Sequence, residues 1–234
     1  MSHKLYFIPG TMCDQRLWQS LWPELLGAYE PVHLAIPEAE SIEQIVDQLS
    51  QQLPDEPVNL VGFSLGGYLA SAIYCRAPQR IARLMVLSNS PQGLPQSEID
   101  ERAKAIGWVN KNGYNGIPLK KVQRLLHVDN RSDRAITDLI CQMDAEMGQA
   151  VLVQQLQATT KRVDLAPLLK QARRPIQFCF GDQDGLVDGT LLNKLAEQNS
   201  NLCVTEVAGS GHMLPLERPT ELAQVINNWF QGER

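Results

Sequence analysis

The chain has 234 residues, of which 44% are hydrophobic and 20% charged, with a formal net charge of −5. An acidic balance without a basic footprint excludes a general nucleic-acid binder, and the absence of any apolar run of roughly 18 residues excludes a membrane span. The start, Met1-Ser2-His3-Lys4, runs straight into a short strand pattern without the long apolar region of a secretion signal, and five cysteines at unpaired spacings read as reduced thiols. The expectation is a cytoplasmic protein, large enough to bury a full core.

Apolar periodicity then alternates along the chain. Strands are predicted at 4–8, 31–35, 58–63, 83–88, 174–180 and 202–207. Helices are predicted at 15–28, 41–53, 65–77, 188–199 and 215–231. Strand–helix alternation of this kind implies a parallel sheet of about six strands covered on both faces, an α/β fold. Residues 91–171 break the alternation. They open on the turn-rich Pro91-Gln92-Gly93-Leu94-Pro95 and continue as helical patterns at 97–111, 118–127, 131–147 and 149–161. Leu139, Met143, Met147 and Val151 fall near one helix face and are read as packing onto the main domain. The organisation is therefore a core domain of 1–90 and 172–234, with a helical insertion at 91–171.

Chemistry concentrates where strands end. Val58-Asn59-Leu60-Val61 runs into Gly62-Phe63-Ser64-Leu65-Gly66 and then into a helical pattern. Strand, tight turn and helix turn a loose G-x-S-x-G match into a nucleophile elbow. A serine on such a turn has an exposed hydroxyl, its neighbours two positions away must be small, and the helix behind it offers free N–H groups to developing negative charge. Gly181-Asp182-Gln183-Asp184-Gly185 follows the strand pattern at 175–180 and supplies an acid, with Asp184 chosen and Asp182 and Asp188 as local competitors. Gly211-His212 follows the last strand pattern on a glycine-flanked loop and supplies a base. The chain order Ser64, Asp184, His212 suits this fold and not the other serine-hydrolase folds. No cysteine sits on an elbow, and Cys13 is read as a lining residue.

The chain resembles the α/β-hydrolase family over nearly its whole length. Four segments carry the resemblance: Leu5-Tyr6-Phe7-Ile8-Pro9-Gly10-Thr11-Met12 with Trp18, the elbow, Gly181-Asp182-Gln183-Asp184, and Gly211-His212 followed by Glu217 and Pro219. The third is similar to the family's G-x-x-D acid loop, which puts the acid on Asp184. The last is similar to its G-H-x-x-x-x-E-x-P. The chain begins at what looks like the family's third strand. One departure is Pro9, where the family has a histidine that organises the oxyanion loop. By resemblance the oxyanion donors are the backbone N–H groups of Thr11 and Leu65, with Met12 the alternative to Thr11, and residues 91–171 form a cap, or lid. Met12, Met213 and Trp108 are the expected substrate contacts.

The implied reaction is acyl transfer to water through an acyl-enzyme, with no metal and no cofactor. No H-E-x-x-H, cysteine–histidine cluster or strand-borne G-x-G-x-x-G is present. The resemblance takes in carboxylesterases, methyl esterases of carrier-protein-bound acyl chains, enol-lactonases and carbon–carbon hydrolases. The expected substrate is a small or medium carboxylic ester, with an acyl carrier as a candidate partner. Thioesterase or lactonase activity is the near alternative, a lyase a further one, and a non-catalytic ligand-binding homologue the distant one.

Overall fold

A computed structural model describes residues 3–25, 27 and 29–231. Six strands, β1 His3–Ile8, β2 Tyr29–His33, β3 Val58–Phe63, β4 Ile81–Leu87, β5 Ile176–Gly181 and β6 Leu202–Val207, form one sheet in the order β2-β1-β3-β4-β5-β6. Every pairing is parallel, with Phe7 opposite Val61 and Val86 opposite Phe178 at the centre. β5 is buried at all six positions and β3 at all but Asn59, as strands covered on both faces must be. Alternation divides the core in two. Tyr6, Ile8, Leu60, Val86 and Phe178 face one cluster, and Leu5, Phe7, Val61, Phe63 and Met85 face the other.

The first cluster is closed by α2 Ile42–Gln51, α3 Leu65–Arg76 and α8 Gly189–Gln198, the second by α10 Pro219–Gln231 together with Trp18. In α2 the buried residues Ile42, Ile45, Val46 and Leu49 fall at helical spacing, and the Ser41 side chain accepts from Gln44 N–H to start the helix. By contrast α3 is buried nearly all round, because it lies flat on the sheet centre. The approach requires glycine on both sides. A Cβ at Gly62 would stand 2.2 Å from the Gly66 carbonyl oxygen, and one at Gly66 would stand 2.3 Å from that of Ile8.

Three expected elements differ. Residues 15–28 are not one helix but a 3-10 turn, Gln15–Trp18, followed by the four-residue α1 Trp22–Leu25, and the rest of that range includes residues 26 and 28, outside the described set. The helix expected at 215–231 splits into α9 Leu214–Glu217 and α10. Pro219 has no N–H to continue a helix and pushes Arg218 out of helical geometry (φ −139°, ψ 58°). The strand expected at 31–35 sits two residues earlier and contains Pro31, tolerated because β2 is the sheet edge.

Between β4 and β5 the described residues form helices and turns: α4 Gln96–Asn112, α5 Leu119–Leu125, α6 Arg134–Thr160 and α7 Ala166–Leu169. α6 is interrupted at Gly148 (φ 76°, ψ −175°), where the two helical patterns meet. That break divides the Leu139–Val151 stripe. The residues buried in the first half are Thr137, Ile140, Met143 and Asp144.

Candidate active site

Parallel strands all point their C-terminal ends the same way, so the loops after β1, β3, β4, β5 and β6 gather at one edge of the sheet. Three of these loops carry the non-glycine residues with positive φ among the described residues: Met12 (54°), Ser64 (51°) and Ser88 (50°). Left-handed backbone is unfavourable for such side chains and persists where surrounding structure imposes it, characteristically at functional sites.

Ser64 occupies the turn between β3 and α3. Its N–H donates to the Leu87 carbonyl at 2.8 Å, which ties the elbow to β4. It stands at the N-cap position of α3, yet its side chain does not cap the helix. The hydroxyl instead meets His212 Nε2 at 3.0 Å. His212 Nδ1 lies 3.0 Å from both Oδ1 and Oδ2 of Asp184. The Asp184 side chain is fully buried and that of His212 nearly so. A carboxylate at Nδ1 fixes the proton there and leaves Nε2 as the acceptor facing the serine hydroxyl. The Phe63 ring packs at 5.4 Å against the imidazole and limits its rotation.

Each partner is held by its loop. Asp184 N–H donates to the Gly181 carbonyl, and Asp184 Oδ1 accepts from Leu186 N–H at 3.0 Å. The two competing acids have other partners: Asp182 Oδ1 accepts from Ser210 N–H at 3.1 Å, and Asp188 caps α8 through Leu191 N–H. His212 N–H donates to the Leu125 carbonyl at 2.7 Å, so the last turn of α5 anchors the histidine backbone. A Cβ at Gly211 would lie 2.6 Å from that same oxygen, which is why glycine precedes the histidine.

Glu217 organises this loop. Buried to 5% exposure, its Oε1 accepts from Gly211 N–H at 2.9 Å and Met213 N–H at 3.1 Å. Its Oε2 accepts from His127 N–H at 2.7 Å and Asn130 Nδ2 at 2.8 Å. One carboxylate thereby joins both sides of His212 to the segment after α5. The motif spacing marked Glu217, but nothing in the sequence pairs it with residues 127 and 130.

The loop after β1 lies against Ser64: a Cβ at Gly10 would come within 3.2 Å of Ser64 Cβ and 2.9 Å of the Phe63 ring. Cys13 N–H donates to the Gly10 carbonyl and closes a turn with Thr11 and Met12 at its centre. Met12 N–H is taken by Gln155 Oε1 at 3.0 Å. Of the two candidate donors in this loop, Met12 thus has a buried partner within the protein. Leu65 is the first residue of α3, where N–H groups have no intrahelical acceptor. Met213 is buried beside His212. Trp108, on α4, is 61% exposed and forms none of the hydrogen bonds or ring contacts described above for Ser64, Asp184 and His212. Gln155 was not among the expected site residues, since a glutamine inside a helical pattern carries no local signal. The Cys13 and Cys179 thiols are buried, and burial pushes each up to about 12, which keeps them protonated and unreactive.

The family model for the alpha/beta hydrolase fold matches residues 21–128. An esterase structure from Thermogutta terrifontis superposes with a TM-score of 0.85 at 18% identity, covering 99% of this chain and 90% of that one. The chain has the α/β-hydrolase fold. The resemblance read from motif order and the parallel six-stranded sheet are both borne out. Among curated proteins, the biotin biosynthesis bifunctional protein BioHC of Teredinibacter turnerae is 25% identical over 98% of this chain, which spans 45% of that protein's length. A pimeloyl-[acyl-carrier protein] methyl ester esterase of Neisseria meningitidis is 26% identical, with 98% of this chain and 94% of the relative covered. The chain thus spans about half of the bifunctional relative and nearly all of the single esterase. No helix among the described residues is long and apolar enough to cross a membrane.

Proposed function

We propose that this protein is a serine hydrolase that cleaves a carboxylic ester of a small or medium acyl group through an acyl-enzyme. The observation that carries the reading is His212, whose two ring nitrogens sit 3.0 Å from the Ser64 hydroxyl and from the Asp184 carboxylate. In this reading His212 Nε2 takes the hydroxyl proton as Ser64 Oγ bonds to the ester carbonyl carbon. The carbonyl oxygen becomes an oxyanion that accepts from the N–H groups of Thr11 and Leu65. The imidazolium, stabilised by Asp184, returns its proton to the departing alcohol oxygen as the ester C–O bond breaks. Water then attacks the acyl-Ser64, again deprotonated by His212, and releases the carboxylic acid and the free serine.

The helices of 91–171 act as a cap over this edge of the sheet, anchored to the histidine loop through Leu125, His127 and Asn130. An ester borne by an acyl carrier, named for the Neisseria relative, is the first candidate substrate. The same geometry attacks thioesters and lactones, so these belong in the same screen. The test is turnover of a panel of methyl, p-nitrophenyl, thioester and lactone substrates by the wild type and by Ser64→Ala. Ester turnover that vanishes in Ser64→Ala is the expected result. Equal turnover in the two proteins refutes the mechanism.

A further inference from the structure

We infer that Gln155 is a positioning residue that sets the oxyanion turn from the cap, an inference that rests on the hydrolase reading above. The turn Gly10–Thr11–Met12–Cys13 is closed by Cys13 N–H on the Gly10 carbonyl, and its third residue, Met12, has φ +54°. Positive φ at that position is favourable for glycine or asparagine, not for a long side chain. In such a turn the central peptide, here Thr11–Met12, has two orientations related by a flip. Both ends of that peptide are held. Its N–H donates to Gln155 Oε1 at 3.0 Å, and its carbonyl accepts from the Cys13 thiol at 3.5 Å. The thiol is a weak donor, so the amide oxygen of Gln155 is the principal restraint. The peptide it fixes directly follows the Thr11 N–H assigned to the oxyanion, and a flip would turn that donor's surroundings over.

Gln155 reaches the turn from 143 residues away in sequence, through a buried bond, and is itself 1% exposed. It lies in the half of α6 that follows Gly148. The next helical turn is braced to the rest of the cap. Thr159 Oγ1 donates to the Gln155 carbonyl at 2.6 Å, Arg102 Nη1 donates to Thr159 Oγ1 at 3.2 Å, and Arg162 Nε donates to the Thr159 carbonyl at 2.9 Å. Arg102 is in turn paired with Glu98 on α4. The oxyanion turn therefore takes its shape from where the cap sits, and displacement of this part of the cap removes the Met12 partner.

The test is Gln155→Met, which keeps the bulk and removes the acceptor, with Gln155→Asn as the second variant should the first fail to fold. With a p-nitrophenyl ester, kcat is expected to fall about 10- to 100-fold with KM within about threefold, since the loss falls on a donor used in the transition state. A trifluoromethyl ketone, which forms a tetrahedral oxyanion on serine, should lose affinity by the same factor as kcat/KM, while the carboxylate product should not. Amide exchange by NMR should show Met12 N–H losing protection while α3 amides keep theirs. Wild-type kcat in a folded variant, or a loss carried wholly by KM, overturns the proposal. If the wild type turns over no ester, thioester or lactone, the hydrolase reading falls, and Met12 exchange decides alone: unchanged protection overturns the link to Gln155 and faster exchange upholds it.

Discussion

Replacing Glu217 by glutamine tests how the histidine loop is held. The carboxylate uses both oxygens as acceptors, one for Gly211 and Met213 N–H and the other for His127 N–H and Asn130 Nδ2. Glutamine keeps one acceptor oxygen and turns an NH2 group toward the other pair of donors. Whichever way it sits, at least one buried backbone N–H loses its partner. An orphaned buried donor costs about 1–3 kcal/mol, and the remaining bonds lose their charge assistance, so a loss of about 2–4 kcal/mol is expected. For a protein of this size that lowers Tm by roughly 6–12 °C. Activity should fall as well, because the two N–H groups on one oxygen flank His212 directly. Differential scanning calorimetry and urea denaturation measure the first effect, and kcat at saturating ester, well below the new Tm, measures the second. A Tm within about 1 °C of wild type, a shift that corresponds to under roughly 0.5 kcal/mol, would refute the argument that this carboxylate braces the loop.

Asp184→Asn should cut kcat by about 10³–10⁴-fold by losing the imidazole tautomer and its charge partner, whereas Asp182→Asn keeps the Oδ1 acceptor for Ser210 N–H and should stay near wild type; steady-state kinetics on the two variants decides between the acids. Gly66→Ala places a methyl 2.3 Å from the Ile8 carbonyl oxygen and 2.4 Å from that of Pro9, so soluble yield should collapse, and a folded, active variant would contradict the close packing of α3 on β1. The thiols of Cys13 and Cys179 should resist a disulfide reagent at pH 8 in the native protein and react once it is unfolded. Their folded values are raised from 9.0 to about 12, so the unfolded chain loses these protons first. Their contribution to stability is therefore full below about pH 9 and lost as pH rises from 9 toward 12, which urea denaturation across that range would show.

Motif order made much of this molecule legible. Ser64, Asp184 and His212 each stand at the end of an apolar run whose strand character is unambiguous, and parallel strands bring such ends together without further information. Glycines at 62 and 66 announced a close approach because no larger residue fits between β3 and α3. What stayed hidden depends on contacts remote in sequence. The split of residues 15–28 follows from the turn geometry around Asp14, whose side chain caps Arg16 N–H, and not from periodicity, which is satisfied by either arrangement. Gln155 and the His127–Asn130 segment acquire meaning only when α5 and α6 fold back onto the loops after β1 and β6. Trp108 is a different case: an aromatic residue in the insertion reads as a substrate contact, and α4 leaves it largely in solvent.

The most direct measurement is intact-protein and peptide mass spectrometry after exposure to a serine-directed fluorophosphonate, with Ser64→Ala as the control. An elbow serine hydrogen-bonded to a histidine that a buried carboxylate orients should be activated for attack on phosphorus. The expected result is a single adduct per chain, located on Ser64 and absent from Ser64→Ala. A folded wild type that takes no adduct, or the same adduct on the Ser64→Ala variant, would contradict Ser64 as the nucleophile.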